Sequence, residues 1–351
     1  MRIVLAHSHA NTFGGGERAV LEVGKALAER HEVELLLGGF DPRRTYAELA
    51  SLPHRRFSRL RWPLSRVAAE AIVANSFGAS LLALRNAERV AYWAHSTRSL
   101  FLQPGARRVD LLARRAVDWI VVRRTRLLVA NSRYTASRLW QLYGREADAI
   151  VYPGVDLAFF QPSAADHEPS GWGEPYAICV GRLSPEKGLD RLFGLWRDLA
   201  DLPLHVVGSG PTDLVQELRA AAPQGVFFRG QLTSSELADA YRGATVAVFA
   251  PHGEEFGIAP LEAMASGVPV VAWREGGLQE TVIDGETGYL ASDPETFRQR
   301  VRLVRHDREL RHTLGTAARR RAEQFSWRQT ASAIEDVCGR LAGTPAPVPA
   351  G

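Results

Sequence analysis

Short apolar runs of four to six residues alternate along the chain with longer amphipathic stretches, which predicts βαβ units and parallel strands covered on both faces. In the first half the strand candidates are Ile3 to Ala6, Val33 to Leu37, Val90 to Ala94, Leu127 to Ala130 and Ile150 to Tyr152. A stretch rich in Pro, Gly and small polar residues then runs to Pro175 and reads as an interdomain linker. A second series follows with Tyr176 to Val180, Leu204 to Val207, Val226 to Phe228, Thr245 to Ala250 and Val268 to Ala272. The pattern predicts an α/β chain of two doubly wound domains, at 1–158 and 176–325, joined by a linker at 159–175. A helix at 326–342 and a disordered Pro/Ala-rich tail at 343–351 complete the expectation.

Composition agrees and narrows the class. The 351 residues suit about two domains of roughly 150 residues, and 46% hydrophobic with 23% charged residues excludes disordered, collagenous and coiled-coil chains. No apolar run reaches the roughly 18 residues of a membrane span, and Met-Arg-Ile-Val-Leu-Ala-His turns polar too early for a secretory signal, so the expected location is cytoplasmic. Cys179 and Cys338 form neither a disulfide framework nor a zinc knuckle and read as buried thiols.

Charge is distributed unevenly. Up to residue 160 there are 24 Lys and Arg against 14 Asp and Glu, a balance of +10; the remainder has 19 against 25, or −6. A basic N-terminal half suits an anionic acceptor, lipid head groups or nucleic acid. Its densest segment, His54 to Arg66, interleaves five arginines with Phe57, Leu60, Trp62 and Leu64. Either it lies on an anionic membrane surface with its rings in the interface, or it is a solvated loop whose aromatics enter the core. Arg107, Arg108, Arg114, Arg115, Arg123, Arg124 and Arg126 form a second basic set on helical sequence, where a solvated face is the default. The dominance of arginine, with Lys25 and Lys187 the only lysines, reads as coding bias.

Three motifs carry candidate chemistry. Gly14-Gly15-Gly16 opens an amphipathic helix, where glycines admit backbone N–H groups to phosphate oxygens and the helix N-terminus adds partial positive charge. The same glycines fit a dinucleotide fingerprint, but seven residues, His7 to Phe13, separate them from the strand, whereas a dinucleotide turn follows its strand directly. In the second domain, strand Tyr176 to Val180 leads into Gly181-Arg-Leu-Ser-Pro-Glu-Lys-Gly188. Arg182 thus leaves the carboxyl end of a first strand and Lys187 stands before a helix, a pairing suited to a diphosphate leaving group with fixed positive charge in place of a metal. The third motif places Glu254 and Glu262 eight positions apart around Phe256-Gly257, so Glu254 sits in a loop and Glu262 about a turn inside the next helix. Backbone N–H groups at Gly257, Ile258 and Ala259 remain for a phosphate.

With His95 closing Ala-Tyr-Trp-Ala-His, Tyr152-Pro-Gly-Val-Asp, Val207-Gly-Ser-Gly-Pro211, Gly276-Gly277-x-x-Glu-Thr-Val and Phe325-Ser-Trp327, these motifs resemble the retaining glycosyltransferases of family 4 over nearly the whole chain. The resemblance implies the GT-B fold, two facing Rossmann-like domains with a C-terminal helix crossing back to the first. The N-terminal domain would bind the acceptor and the second the nucleotide sugar. It implies that Arg182 and Lys187 clamp the donor diphosphate with backbone at Gly15, Gly16 and Gly257 to Ala259, and that Glu262 holds the ribose. Glu254 would bind hydroxyls of the transferred sugar and His95 would line the reaction centre, with Ser209 and Gln231 passing near ribose and base.

The implied reaction moves a hexose from a nucleoside diphosphate sugar to a glycan, lipid-linked or small-molecule acceptor. It needs no cofactor and no metal, and no nucleic acid is involved. The wording around Glu254 and Gly276 is most similar to mannosyl-type members, making GDP-mannose the first donor expected and UDP-glucose the second. An anionic membrane surface, on the inner face of the membrane, is a further expected partner. One departure stands out: Glu255 replaces the family's usual Gly and offers a second carboxylate beside Glu254. His7, His9 and His252 are further candidates, each read first as structural. A sugar-nucleotide-binding partner subunit without transferase activity is the alternative class, and an epimerase or a phosphorylase of similar architecture is a third.

Overall fold

The structure, a computed structural model, describes residues 1–58, 61–97, 108–162, 172 and 175–343. It divides into two compact units, Met1–Gly154 with the segment from Trp327, and Val155–Ser326.

The first unit is built on seven strands: β1 (Arg2–His7), β2 (Glu32–Leu37), β3 (His54–Arg56), β4 (Ala71–Ala74), β5 (Val90–Ala94), β6 (Leu127–Ala130) and β7 (Ala149–Ile150). All neighbours pair parallel in the order β3-β2-β1-β4-β5-β6-β7. Strands β4, β5 and β6 are buried at every position, as a sheet covered on both faces requires. The helices include α1 (Gly15–Ala28), α2 (Arg108–Arg124) and α3 (Arg133–Tyr143). α1 buries Val20, Val23 and Leu27 on one face, and Ser132 caps α3 by accepting from the Thr135 N–H.

The second unit has six strands: β8 (Ala177–Val180), β9 (Leu204–Val207), β10 (Val226–Gly230), β11 (Val246–Phe249), β12 (Val270–Trp273) and β13 (Gly288–Ala291). They pair parallel in the order β10-β9-β8-β11-β12-β13. Its helices include α4 (Leu189–Trp196), α5 (Ile258–Ala265) and α6 (Arg308–Ala322). In each sheet the strand order reverses once, between β1 and β4 and between β8 and β11. A crevice forms at such a switch point beyond the carboxyl ends of the strands, and open α/β sheets bind ligands there.

The C-terminal helix α7 (Trp327–Ala342) returns to the first unit and packs on α1. Ile334, Val337 and Cys338 are buried, and Glu335 accepts from Arg30 at 2.6 Å and His31 at 2.7 Å beyond the end of α1. Thr330 Oγ1 donates to the Tyr152 carbonyl at 2.8 Å.

Three expectations are corrected here. The boundary falls at Val155, not after residue 158: Val155 N–H donates to the Phe325 carbonyl, Phe160 is buried, and Arg319 on α6 donates to the Phe160 and Leu157 carbonyls. Thus 155–162 is packed chain rather than linker; residues 163–171, 173 and 174 lie outside the described residues, as does the tail from 344. Strands β3, β4 and β13 are additional to those the pattern predicted. In the arginine-rich segment, Trp62 is buried and packs against Phe57 with ring centroids 4.6 Å apart, so these two rings belong to the core rather than to a membrane interface, whereas Leu64 is exposed. Arg59 and Leu60 lie outside the described residues, as do Arg107 and the side chains of Arg108, Arg114 and Arg115.

Both cysteines are buried free thiols, each pushed up to about 12 by burial. Among the described residues no helix is long and apolar enough to cross a membrane.

Candidate functional site

The crevice of the second unit is formed by the loops that follow β8 and β11. After β8 the chain passes Gly181 and Arg182, makes a short turn at Pro185–Lys187, and enters α4 through Gly188, which has φ +63° and ψ 34°. A side chain at Gly188 would meet the Ala250 carbonyl oxygen at 1.9 Å, so glycine is what lets the Lys187 turn lie against the end of β11. The turn is held further by the His252 N–H, which donates to the Glu186 carbonyl at 2.9 Å.

After β11 the loop Pro251 to Gly257 carries Glu254 into the same crevice. Lys187 Nζ donates to Glu254 Oε2 at 2.5 Å, both side chains being largely buried, whereas Arg182 remains mostly exposed with Glu186 at 3.7 Å. The Glu254 backbone is gripped by the Gly276-Gly277 turn: Gly277 N–H donates to the Glu254 carbonyl at 2.8 Å, and a Cβ at Gly276 would lie 2.1 Å from that oxygen. Of the two adjacent carboxylates, Glu254 is the one paired with Lys187.

These loops form a pocket, partly open to solvent, lined by Arg182, Lys187, Glu254, Gly257, Ile258 and Ala259 with Cys179, Leu183 and Leu278. The first-turn N–H groups of α5 have no partner within that helix. Two cations, a carboxylate and a helix N-terminus therefore share one concave site, suited to an anion bearing hydroxylated groups.

Glu262, Ser209 and Gln231 lie outside this lining. Glu262 is on α5, where Tyr241 Oη donates to its carboxylate at 3.3 Å and to the Ala259 carbonyl at 3.1 Å. Burial and the Glu262 charge raise the Tyr241 pKa well above its usual value, so the phenol stays a donor. Ser209 Oγ donates to Gln231 Oε1 at 3.2 Å, which joins the loops after β9 and β10. His252 braces the Glu254 loop: Arg191 donates to its Nδ1 at 2.7 Å, leaving Nε2–H to donate to Asp190 at 3.1 Å. Desolvation alone would push the Asp190 carboxyl up, but its bonds to His252 and the backbone hold it below the usual range.

The crevice of the first unit gathers His7, Gly16, Asn75 and His95. His95 follows β5, and Nε2–H donates to Asn75 Oδ1 at 2.6 Å; burial pushes its pKa down to about 3, so the ring is neutral at ordinary pH. Gly15 and Gly16 form the first turn of α1, as the glycine motif predicts, but Glu17 beside them is buried. Burial raises the Glu17 pKa, and the larger combined effect of His7 and Thr12 bonding holds it below the usual range, so a charged carboxylate occupies the turn. Ser8 Oγ and His9 Nδ1 share a hydrogen bond at 2.8 Å. Sequence reasoning missed Glu17 and Asn75; the available signals were a carboxylate at the third position of the predicted helix and an amide ending a short Ala-Ile-Val-Ala run.

Comparison with known proteins matches residues 13–159 to the model described as Glycosyltransferase Family 4 and 163–321 to Glycosyl transferases group 1. The chain is 35% identical over 236 residues to the D-inositol 3-phosphate glycosyltransferase of Streptomyces avermitilis, covering 60% of this chain and 51% of that protein. It is 34% identical over 195 residues to sulfoquinovosyl transferase SQD2 of Arabidopsis thaliana, covering 52% and 38%. The chain thus spans about half the length, or less, of these curated relatives. Among solved structures, Anabaena Alr3699/HepE in complex with UDP and glucose superimposes with a TM-score of 0.80 at 21% identity, covering 97% of this chain and all of that one. Sucrose-phosphate synthase from Thermosynechococcus elongatus gives 0.76 at 22%, covering 98% and 99%.

Proposed function

The chain belongs to glycosyltransferase family 4 and has its GT-B fold, and on that premise we propose that it transfers a hexose from a nucleoside diphosphate sugar to an acceptor hydroxyl with retention of anomeric configuration. The observation that carries this reading is the second unit's pocket, where Lys187, Glu254, Arg182 and the α5 N-terminus converge. In this reading Arg182 and Lys187 take the diphosphate, with the first-turn N–H groups of α5 on its oxygens. Diphosphate departure leaves an oxocarbenium-like centre, and fixed cations in a partly desolvated site stabilise the leaving group without waiting for solvent to reorganise. A metal is not required in this scheme. The pair with Glu254 then acts as a relay of contacts: Lys187 turns to the incoming phosphate while Glu254 takes sugar hydroxyls. Glu262 binds the ribose, and Ser209 with Gln231 faces the nucleoside. The leaving diphosphate accepts the acceptor proton on the same face.

GDP-mannose is the first donor proposed and UDP-glucose the second. The acceptor is a glycan or lipid-linked sugar at an anionic membrane surface. A phosphorylated small molecule is the second reading, favoured by relatives whose name specifies D-inositol 3-phosphate and by the +10 balance of the first 160 residues. Thermal unfolding with a panel of GDP-, UDP- and ADP-sugars tests the donor: a ligand at about 100 times its dissociation constant adds about 2.7 kcal/mol of stability. A selective shift for one nucleotide is expected; no shift with any of them would overturn the transferase reading in favour of a binding subunit for another ligand.

A further inference from the structure

The network in the first unit does more than bury polar atoms, because one contact in it has a single reading. The Gly16 carbonyl can only accept, so the Asn75 atom 2.8 Å from it is the amide nitrogen. That orients the amide: Oδ1 faces His95 Nε2 at 2.6 Å, and an oxygen that only accepts requires the hydrogen to be on Nε2. The second amide hydrogen faces His7 Nδ1 at 3.2 Å, so this nitrogen accepts and the His7 hydrogen is on Nε2, turned toward Glu17 Oε1 at 3.7 Å. Thr12 Oγ1 donates to the same Glu17 oxygen at 2.6 Å.

The fold places these groups in register. His7 ends β1, Asn75 follows β4 and His95 follows β5, three adjacent parallel strands whose carboxyl ends open on the same edge. Gly16 closes the set from α1, where a Cβ would stand 3.2 Å from His7 Cε1. His7 and Asn75 are 7% and 3% exposed, so water does not compete for the amide.

We propose that Asn75 is the positioning residue for His95: its oriented amide holds His95 as the neutral Nε2–H tautomer and leaves Nδ1 to accept a hydrogen bond from a substrate hydroxyl. A neutral imidazole presenting Nδ1 suits a hydroxyl and offers nothing to a phosphate oxygen, which gives His95 a polyol and not a diphosphate as its partner. What that hydroxyl belongs to rests on the transferase reading; the tautomer does not.

The test is long-range ¹H–¹⁵N correlation of the imidazole nitrogens in the full, ligand-free chain at neutral pH, with His7→Gln and His95→Gln assigning the signals. Both rings are expected as neutral Nε2–H tautomers. An Nδ1–H or imidazolium pattern for His95 overturns the proposal, and this needs no Asn75 variant to fold. In Asn75→Ala, His95 is expected to become a mixture of tautomers, and in Asn75→Asp, which cannot donate, His7 is expected to gain a proton on Nδ1 while His95 keeps Nε2–H. An unchanged His95 spectrum in Asn75→Ala also overturns it. With the donor selected by thermal shift, Asn75→Ala is expected to lower kcat by about tenfold or more with donor KM nearly constant, since a wrong tautomer impairs catalysis without dismantling the site. A loss confined to KM refutes the positioning role. If no donor is turned over, the spectra still decide the tautomer, so the two readings fail separately.

Discussion

Gly188→Ala is the sharpest single perturbation of the second unit's pocket. Two independent costs add. An L-residue at φ +63° costs about 1–2 kcal/mol in the left-handed region, and the new Cβ meets the Ala250 carbonyl oxygen at 1.9 Å, the carbonyl carbon at 2.8 Å and Pro251 Cα at 3.0 Å. All three atoms are backbone, so no rotamer change relieves the contact. Either the Lys187 turn or the β11 end must move by about 1 Å, at a further cost of about 1–3 kcal/mol for overpacking. The expected total is about 3 kcal/mol, or about 6–12 °C in the melting temperature of a unit of this size. Because Lys187 precedes Gly188 and Glu254 follows Pro251, the same shift separates the pair; a displacement near 1 Å is expected to lower kcat/KM about 10²-fold. Gly188→Asn separates the two costs, since asparagine tolerates the left-handed conformation but still carries the colliding Cβ. Calorimetry together with the donor titration reads both effects. An alanine variant melting within about 2 °C of the parent, with an undiminished donor-induced shift, would refute the close approach.

Two further outcomes follow from charge. Lys187→Ala is expected to lower kcat by about 10²–10³-fold while donor affinity falls much less, because the clamp opposes charge that develops only as the diphosphate leaves; steady-state kinetics with isothermal titration of the donor checks it, and equal proportional losses would remove the role. Acid is expected to destabilise the fold through two histidines buried as neutral rings: His95, held down to about 3, and His205, held down to about 4 by burial and by Arg229, which donates to its Nδ1 at 2.7 Å. Their folded pKa values lie below the ordinary 6.5, so the unfolded chain binds the extra protons; the contribution is full above about pH 6.5 and is lost as pH falls through the interval toward 3–4. Urea midpoints between pH 7.5 and 4.5 for the parent, His95→Gln and His205→Gln check the sign, and a midpoint that falls no less steeply in both variants would contradict it.

Much of this protein was legible along the chain because the physics involved is local. Apolar runs at strand length separated by helical periodicity demand a doubly wound fold, whatever packs on them, and ten strands follow from that pattern alone. The order of Arg182, Lys187, Glu254 and Gly257 likewise places cations, a carboxylate and a helix N-terminus at the carboxyl ends of strands. Strands β3, β4 and β13 escaped notice because these segments of three or four residues, arginine-rich, alanine-rich and glycine-led in turn, become strands only by pairing with β2, by burial between β1 and β5, and by pairing with β12. Tertiary structure alone decided the remainder. Trp62 and Phe57 could have faced lipid or core until the packing around β4 was built, and spacing favoured Glu254 over the adjacent Glu255 without fixing which carboxylate meets Lys187, which the loop held by the Gly277 N–H on the Glu254 carbonyl decides. The tautomer of His95 is the clearest case. Asn75 lies 20 residues away in sequence, and its amide orientation is set by a carbonyl 59 residues further back. Periodicity carries no record of a directional bond between strands that meet only when the sheet forms.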